Sequence, residues 1–437
     1  MSAPAVLVLG ALLADQTAKV WQQGAGSLRY TYAPVFAVRF PPPVTVAGHL
    51  LALPLALLAE LTVPPPARTL LVLGCAVFWL LCLQRRLANH AWIGFVALTA
   101  VTLSPARLAP VIGRDLLIGL YLSAVVFKLH RDYLTGPASA GRVVTALYLR
   151  LLGLRVPEWL LRTAPAAVVA TELAVGVALL VPHGEPVGLA LAILMHLGFG
   201  VSGNFGFSTV ALALWAVALG GPTPADGVWW AVPVSTLLGI ALGRSTAGPR
   251  GRGLMVKDGL QGAVYGVMCA LALAALRPAA APATGSAAVH VVAAAGFGLN
   301  FALVVTGLKL DWSFAMFSGL RPFGGSWLQR HGRPGWPRYY ALSLPEKVPA
   351  EWLRMVQPQF LYRATRPEYA VHESVVFHLE AMARRSGSTL RPRLVVRDHH
   401  GRDAPLVPWD GPQPRPRRRV LLFPSLIPRS FRTHYLG

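Results

Sequence analysis

Residues 115–136 read DLLIGLYLSAVVFKLHRDYLTG, and they contain the pattern that decides the fold. No charged residue stands between Asp115 and Lys128, and most residues in that run are large and apolar. Such a run is typical of a helix that crosses a membrane, and the polar residues after Lys128 are typical of the loop that follows one. The same pattern recurs along the chain, so it predicts the fold class as well as this one helix.

The composition of the whole chain indicates the same class. Of its 437 residues, 54% are hydrophobic and only 13% are charged, and the mean hydropathy is +0.52. A soluble domain carries about 25% charged residues. The apolar residues also occur in long blocks separated by short polar loops. The sequence therefore predicts an all-α polytopic membrane protein that is integral to the lipid bilayer and crosses it several times.

About ten segments are apolar enough to cross a membrane, for which a helix needs about 20 residues and tolerates roughly 17–25. Several are short or contain Gly and Pro, which membrane bundles tolerate. The segments are residues 46–63, 69–83, 91–103, 115–128, 166–181, 186–201, 207–219, 229–242, 260–276 and 288–305. The N-terminal apolar run, residues 6–14, is too short for a span, so we expect an interfacial or partly inserted helix there.

The composition changes once along the chain, where apolar blocks give way to arginine, proline and tryptophan. We therefore expect a transmembrane domain over residues 1–310 and a small, basic, soluble α+β domain over residues 311–437. In the second domain, EYAVHESVVFHLEAMARRSG (residues 368–387) has the pattern of an amphipathic helix. LRPRLVVRDHHGRDAPLV (residues 390–407) has the pattern of two short strands around a turn at His400–Gly401.

The formal charge of +22 comes from 40 Lys and Arg residues against 18 Asp and Glu residues. The arginines lie in short loops and in the C-terminal domain, as expected for segments that flank a membrane, so we expect no nucleic-acid partner. By the positive-inside rule, the side of the membrane on which these arginine-rich loops lie would be the cytoplasmic side. The chain has no P-loop, GxGxxG, HExxH or GxSxG motif, and its three cysteines lie in apolar runs. No metal or nucleotide cofactor is therefore expected.

Lysine is rare in this chain, which otherwise uses arginine for positive charge. It occurs only at Lys19, Lys128, Lys257, Lys309 and Lys347. The distinction matters because arginine does not lose its proton in a protein, whereas a lysine removed from water can lose it and act as a base. Lys128 is therefore a candidate base. The alternative is a lysine at a helix end whose amine snorkels to the membrane surface.

Three further ionisable residues lie inside apolar spans, namely His90, Glu172 and His196. Burying such groups is costly, so each is a candidate functional residue. The alternative for each one is a hydrogen bond that ties two helices together. With the predicted spans, the helix ends that carry His90 and Lys128 fall on the same face, and the span that carries His196 runs back toward that face. A shared pocket is therefore geometrically possible.

Four blocks of the sequence resemble, in order, segments of the vitamin K-dependent gamma-carboxylase family and its bacterial relatives, the horizontally transferred transmembrane (HTTM) domain proteins. AVVFKLHRDYLTG at 124–136 resembles the family segment AGVKKLDADWVEG and matches it at Lys128, Asp132 and, as an aromatic, Tyr133. NHAWIGFVALTAVTL at 89–103 resembles NHSYLYGLLAFLLTF, which starts with the same Asn-His pair.

The other two blocks follow at the expected places. TELAVGVALLV at 171–181 resembles LDLSAGFLLFF, with Glu172 at the position of the family aspartate. HLGFGVSGNFGFS at 196–208 resembles the block that begins FHCMNSQLFSIGMF, with His196 on its histidine. The four blocks lie within residues 69–208, the part of the chain that the resemblance covers.

The resemblance implies an enzyme with gamma-glutamyl carboxylase or quinone epoxidase activity. In the carboxylases a lysine deprotonates vitamin K hydroquinone, O2 adds to the quinol anion, and the strong base that forms removes a proton from a peptide glutamate. The carbanion captures CO2, and the quinone leaves as an epoxide. The resemblance thus implies a reduced, vitamin K hydroquinone-like quinone with O2 and CO2 as co-substrates, a peptide or protein substrate and no metal.

Carried over to this chain, Lys128 is the implied quinol base and His90 stabilises a charged intermediate. The implied residues of the quinone or substrate pocket are His196, Glu172, Asn89, Asp132 and Tyr133.

Two departures favour a bacterial relative with altered chemistry, in the bacterial plasma membrane, over a bona fide gamma-carboxylase. Phe127 replaces the first lysine of the family motif, and the C-terminal region is much shorter than the substrate-gripping region of the animal enzymes. Two other function classes stay open. One is a non-catalytic membrane partner in the maturation or export of a secreted peptide. The other is a transporter, which would favour repeated halves that the sequence does not contain.

Overall fold

The structure is a computed structural model, and two sets of residues are described in it. The first set forms the helical part of the molecule: residues 3–23, 40–83, 88–151, 153–201, 204–221, 228–246, 251–276 and 287–306. The second set belongs to the C-terminal region: residues 320, 339–343, 366–373, 375–376, 379–380, 383, 387, 391–395, 407–408 and 426–429.

Within the described residues the first part of the chain forms thirteen α-helices. They are α1 (Ala3–Gln23), α2 (Pro42–Thr62), α3 (Ala67–Leu83), α4 (Asn89–Leu103), α5 (Ala109–Lys128), α6 (Arg131–Leu134), α7 (Ala140–Leu151), α8 (Glu158–Leu180), α9 (Glu185–Val201), α10 (Phe205–Ala218), α11 (Ala231–Thr246), α12 (Gly251–Ala275) and α13 (Ala287–Val305). Each of the predicted apolar segments coincides with one of these helices.

Six helical segments are long and apolar enough to cross a membrane: Ala3–Trp21, Pro42–Thr62, Ala106–Lys128, Glu158–Leu180, Val256–Ala275 and Ala287–Val305. Five further apolar helices are shorter: Ala67–Leu83, Asn89–Leu103, Glu185–Gly200, Phe205–Ala218 and Ala231–Ala241. The prediction of a mainly α-helical, membrane-associated protein is therefore confirmed for the described residues. The count of about ten spans stays a prediction.

The N-terminal helix differs from its prediction. The run 6–14 was too short for a span, but α1 extends over Ala3–Gln23 and its apolar part is long enough to cross a membrane. The prediction was too short because Asp15, Gln16 and Lys19 interrupt the apolar run. In the structure these polar side chains have partners inside the bundle, and Asp15 and Gln16 are buried.

Helix α10 lies at the centre of the bundle. Helices α1, α5, α9 and α12 pack around it, together with α4, and every residue from Phe205 to Val217 is buried. A helix that is apolar on all sides is expected to be surrounded in this way.

The outer helices expose large apolar side chains. Leu55 and Leu58 of α2 are exposed, as are Val291, Val292 and Leu299 of α13. Exposed apolar surface of this extent is unfavourable in water and favourable against lipid. The outside of the bundle thus agrees with the sequence in indicating a membrane protein.

The chain turns sharply after α5. Helix α5 ends at Lys128, and the extended backbone of His130 leads into the short helix α6. Helix α7 follows, and it packs against α8 with Gly141 close to Pro165. This turn folds residues 129–140 back over the end of α5, which matters for the site described below.

The C-terminal region contains a five-stranded sheet among its described residues. Its strands are β1 (Tyr339–Ser343), β2 (Tyr369–His372), β3 (Arg391–Val395), β4 (Val407–Pro408) and β5 (Leu426–Pro428). All neighbours are antiparallel, in the order β4-β3-β1-β2-β5, and Tyr339 pairs with Val395 and with His372. A small apolar core of Tyr339, Ala341, Ala370 and Ile427 supports the sheet.

The predictions for this region have mixed outcomes. The two strands predicted in 390–407 are present as β3 and β4, and they pair with each other. Their turn at His400–Gly401 lies outside the described residues, as does the predicted domain boundary at residue 310. The segment 368–387, predicted as one amphipathic helix, instead begins with strand β2.

Candidate active site

Lys128 and Glu172 form a buried ion pair between α5 and α8. The Lys128 Nζ atom lies 2.6 Å from Glu172 Oε1 and 2.8 Å from Oε2, and Lys128 is fully buried. Lys128 is the last residue of α5. Helical side chains lean toward the N-terminus of their own helix, so its amine reaches back among the helices instead of toward the loop. Each group thus has its partner at a site that solvent does not reach.

The turn after α5 covers this pair with an aromatic ring. The Lys128 Nζ atom lies 5.9 Å from the centre of the Tyr133 ring, within range of a cation–π contact. Burial, and secondarily the negative charge of Glu172, raises the pKa of Tyr133, so its phenol stays protonated at neutral pH. Val125 and Val169 pack beside this ring. The turn therefore helps to exclude water from the pair.

A second buried polar group consists of His196 on α9, Tyr121 on α5 and Trp215 on α10. The Tyr121 hydroxyl oxygen lies 2.8 Å from His196 Nε2 and 3.2 Å from Trp215 Nε1. The indole N–H can only donate, so Tyr121 accepts from Trp215 and can donate its own proton to His196 Nε2. His196 is then neutral and carries its proton on Nδ1.

The Nδ1 atom of His196 is buried and has no hydrogen-bond partner among the residues that the structure describes. The rings of Phe199 and Phe207 surround the imidazole, with centroids 5.7 Å and 5.0 Å from its own. Buried polar atoms are almost always hydrogen-bonded. The Nδ1 atom of His196 is therefore a buried polar atom whose hydrogen-bonding capacity the described residues leave unused.

A third group lies where α1 meets α4. The Lys19 Nζ atom lies 2.5 Å from Asp15 Oδ2 and 3.0 Å from His90 Nε2, and Asp15 Oδ2 lies 3.2 Å from the same His90 nitrogen. Asp15 and His90 are buried, whereas Lys19 is partly exposed. Next to them, Gln16 Nε2 lies 3.1 Å from His49 Nδ1. Helix α1 thus brings several polar side chains into the bundle.

The first turn of α10 connects the second and third groups. Gly206 packs so closely that a Cβ atom there would overlap the Asp15 carboxylate and lie 2.7 Å from His90 Nε2. Two residues later, the Ser208 hydroxyl donates to the His196 carbonyl oxygen at 2.7 Å. The groups of His90 and His196 therefore contact the same end of the central helix.

Helix α5 connects the second group to the first. Tyr121 and Lys128 are seven residues apart. This spacing puts them on one face, about 10 Å apart along the helix axis. On the facing helix, Gly176 packs against Tyr121, and Glu172 lies one turn earlier on the same face. Tyr121 of the second group and the Lys128–Glu172 pair therefore both lie at the contact between α5 and α8.

The predicted site residues thus fall into three neighbouring groups. Lys128, Glu172 and Tyr133 are brought into contact. Glu172, expected only to line the pocket, is the direct partner of the lysine. His90 and His196 have other partners, and within the described residues Lys128 donates a hydrogen bond to neither of them. The other two predicted residues lie beside these groups: Asn89 begins α4 before His90, and half-buried Asp132 precedes Tyr133 in α6.

Four residues of these groups were not among the predicted site residues: Asp15, Lys19, Tyr121 and Trp215. A usable signal existed for the first two, since an acid and a base four residues apart share one face of a helix. Tyr121 lies two turns before Lys128 on the same face, which is a weaker signal. Nothing in the local sequence distinguishes Trp215 from the apolar residues around it.

The chain matches no protein-family model, no curated protein and no solved structure. Its resemblance to the carboxylase and HTTM families therefore stays a prediction based on four sequence blocks. The functional interpretation rests on the chemistry of the three groups.

Proposed function

We propose that this chain is a multi-pass membrane enzyme of the HTTM type, related to the vitamin K-dependent gamma-carboxylases, in the bacterial plasma membrane. It uses a reduced quinone and O2 to modify a peptide or protein, with CO2 as a further co-substrate if it carboxylates. The observation that carries this proposal is the buried Lys128–Glu172 pair, a proton acceptor inside a bundle of apolar helices.

The proposal includes about ten membrane crossings, formed by the long helices together with the shorter ones. Helix α10 has only 14 residues, so it is about 21 Å long, less than the hydrocarbon core of a bilayer. A short helix is acceptable at this position because α10 is enclosed by protein and its ends need not reach the lipid surface.

Lys128 and Glu172 share one proton, and the pair can accept a second proton whether the first one rests on Lys128 or on Glu172. If the lysine is charged, the Glu172 carboxylate accepts the incoming proton. If the two groups are neutral, the Lys128 amine accepts it. In both cases the pair ends with a net charge of +1, which balances the negative charge left on the proton donor. This matters because an uncompensated charge is costly in a dry site.

The surroundings suit a flat, apolar ligand with polar oxygens. A reduced quinone would supply two hydroxyl groups and the electrons that reduce O2. The free Nδ1 atom of His196 can bond to a ligand oxygen, and the rings of Phe199 and Phe207 provide apolar surface beside it. Exclusion of water by the surrounding helices would protect a strong base or a carbanion from quenching.

A second candidate function is a non-catalytic membrane partner in the maturation or export of a peptide. One observation favours it: the ionisable groups of Lys128, Glu172 and His90 already have partners inside the protein. Such pairs can simply tie helices together in a bundle. The two candidates differ in whether the protein consumes a reduced quinone.

The test is quinone turnover by the purified, full-length protein in lipid nanodiscs. Reduced vitamin K or menaquinone is supplied in air, and chromatography measures quinol consumption and epoxide formation against protein-free discs. The wild type is expected to form epoxide. Lys128→Met is expected to lower the rate by about 10²- to 10⁴-fold, the usual contribution of a positioned acid or base.

Lys257→Met is the matched control because Lys257 lies on the long helix α12, outside the three groups described above, and is partly exposed and paired with its neighbour Asp258. It is expected to turn over like the wild type. Epoxide formation by neither the wild type nor the control, in properly folded protein, would favour the non-catalytic function. Equal turnover by Lys128→Met and the wild type would remove Lys128 as the base.

A further inference from the structure

Three charged or titratable side chains are held together where α1, α4 and the start of α10 meet. Asp15 and Lys19 are one turn apart on α1, and His90 lies in the first turn of α4. The side chains of Asp15 and His90 are 4% and 8% exposed, and that of Lys19 is 22% exposed. Only the lysine thus has substantial contact with the surroundings of the bundle.

The contacts of Lys19 determine the protonation of His90. An ammonium group has three donors and no acceptor. Lys19 is held charged by the Asp15 carboxylate at 2.5 Å, and its Nζ atom also lies 3.0 Å from His90 Nε2. This second contact is a hydrogen bond only if Nε2 presents its lone pair. A neutral imidazole with its lone pair on Nε2 carries its proton on Nδ1.

The opposite arrangement is less favourable. His90 Nε2 also lies 3.2 Å from Asp15 Oδ2, so an Nε2–H could donate to that oxygen. The same N–H would then face the ammonium of Lys19 at 3.0 Å, and two donors would oppose each other. A doubly protonated His90 would add a second positive charge to a mostly buried site that contains one carboxylate.

The start of α10 fixes this arrangement from the third side. A Cβ atom at Gly206 would overlap the Asp15 carboxylate and lie 2.7 Å from His90 Nε2, so the backbone of α10 packs directly on both groups. The N-terminus of a helix also carries a partial positive charge that stabilises a nearby carboxylate. Asp15 is therefore held as an anion by α10 as well as by Lys19.

We infer that Asp15 and Lys19 are positioning residues that hold His90 neutral, with Nε2 as an acceptor and its proton on Nδ1. Helix α1 is thus a part of the site and more than a membrane anchor. The consequence of this inference for catalysis rests on the proposed function. His90 then acts through Nδ1–H as a hydrogen-bond donor to a developing negative charge, and it does not act as a base through Nε2.

The test measures the tautomer directly and does not depend on turnover. Full-length protein with ¹⁵N-labelled histidine rings is placed in nanodiscs, and the His90 signals are assigned by their loss in His90→Gln. The expected spectrum has a protonated Nδ1 and an unprotonated Nε2. An Nε2-protonated or doubly protonated His90 in the wild type would overturn the inference.

Two substitutions at Lys19 sharpen this test. Lys19→Met keeps the length of the side chain and removes its donors, so His90 is expected to move its proton to Nε2 and donate to Asp15. Lys19→Arg again offers only donors, so it is expected to retain the wild-type tautomer. Lys257→Met serves as the control and leaves the His90 spectrum unchanged. A wild-type spectrum in Lys19→Met would contradict the positioning role.

The second measurement is quinone turnover by the same variants. Lys19→Met is expected to lower kcat by about 10- to 100-fold with little change in KM, as for partners that orient a metal-ligating histidine, and Lys19→Arg is expected to restore most of it. Absence of quinone turnover in a wild type with the expected tautomer would reject the proposed function and leave the positioning role intact. If Lys19→Met changes the tautomer of His90 but leaves kcat unchanged, the proposed consequence of the tautomer for catalysis is overturned.

Discussion

Helix α5 carries an acid–base pair toward each end, and the two pairs differ in their exposure. Near its start, Asp115 lies 2.8 Å from His290 of α13, and their side chains are 12% and 53% exposed. At its end, Lys128 lies 2.6 Å from Glu172, and both side chains are almost completely buried. The two distances are similar, but the pairs differ in their surroundings and in their base, since a histidine is charged only when it is protonated.

This difference decides what each pair can do. An exposed pair is screened by water and salt, and it contributes about 0–1 kcal/mol. In a buried pair each charge depends on its partner, so removal of one partner costs about 3–5 kcal/mol. The same dependence makes a buried pair responsive to a single added proton. The comparison indicates that α5 has a partly exposed contact at one end and, at the other, a buried pair in which each group depends on its partner.

The largest effect on stability is expected from Glu172→Met, which leaves the Lys128 ammonium buried without its partner. The free energy of unfolding should fall by about 3–5 kcal/mol, measured by thermal unfolding in detergent. The double variant Lys128→Met/Glu172→Met should recover to within about 1 kcal/mol of the wild type, because apolar residues of similar volume replace both charges. A double variant as unstable as the single one would contradict this interpretation of the pair.

A smaller effect is expected at the start of α10. Gly206→Ala places a methyl group against the Asp15 carboxylate and the His90 ring, so α10 must shift or the group around His90 must open. The expected loss is about 1–3 kcal/mol. Gly296→Ala in α13 is the matched control, because a methyl group there has no neighbour within 4 Å. Equal unfolding temperatures for the two variants would show that the close contact at Gly206 is not maintained.

The smallest effect is expected from Asp115→Asn at the exposed pair. The free energy of unfolding should change by less than about 1 kcal/mol, and the change should shrink further as salt is added. Quinone turnover should equal that of the wild type. A loss as large as that for Glu172→Met would mean that the two ends of α5 do not differ as their exposure indicates.

Much of the helical fold could be predicted from the sequence because hydropathy is a local property. The apolar runs mark α2–α5 and α8–α13 without any knowledge of their neighbours. The strands β3 and β4 were also predictable, since they are close in the chain and the sequence between them has the pattern of a turn. The complete order of the sheet was not, because β1 pairs with strands that lie far from it in the sequence.

The pairing inside the site could not be predicted for the same physical reason. Lys128 and Glu172 were each recognisable as ionisable residues in apolar runs, but they are 44 residues apart and meet only when α5 packs on α8. Lys19 and His90 are 71 residues apart. When hydropathy alone is considered, the charged residues of α1 interrupt its apolar run and make it look too short to cross a membrane. Only the packed bundle indicates that these charges are paired inside it.

The most direct test of the Lys128–Glu172 pair separates its chemistry from its contribution to stability. The double variant Lys128→Met/Glu172→Met should fold and unfold near the wild-type temperature but contain no proton acceptor at this site. Quinone epoxidation is measured for this variant, the wild type and Lys257→Met in nanodiscs. We predict a rate at least about 100-fold below that of the wild type and the control. Wild-type turnover by the folded double variant would contradict the assignment of this pair as the proton acceptor.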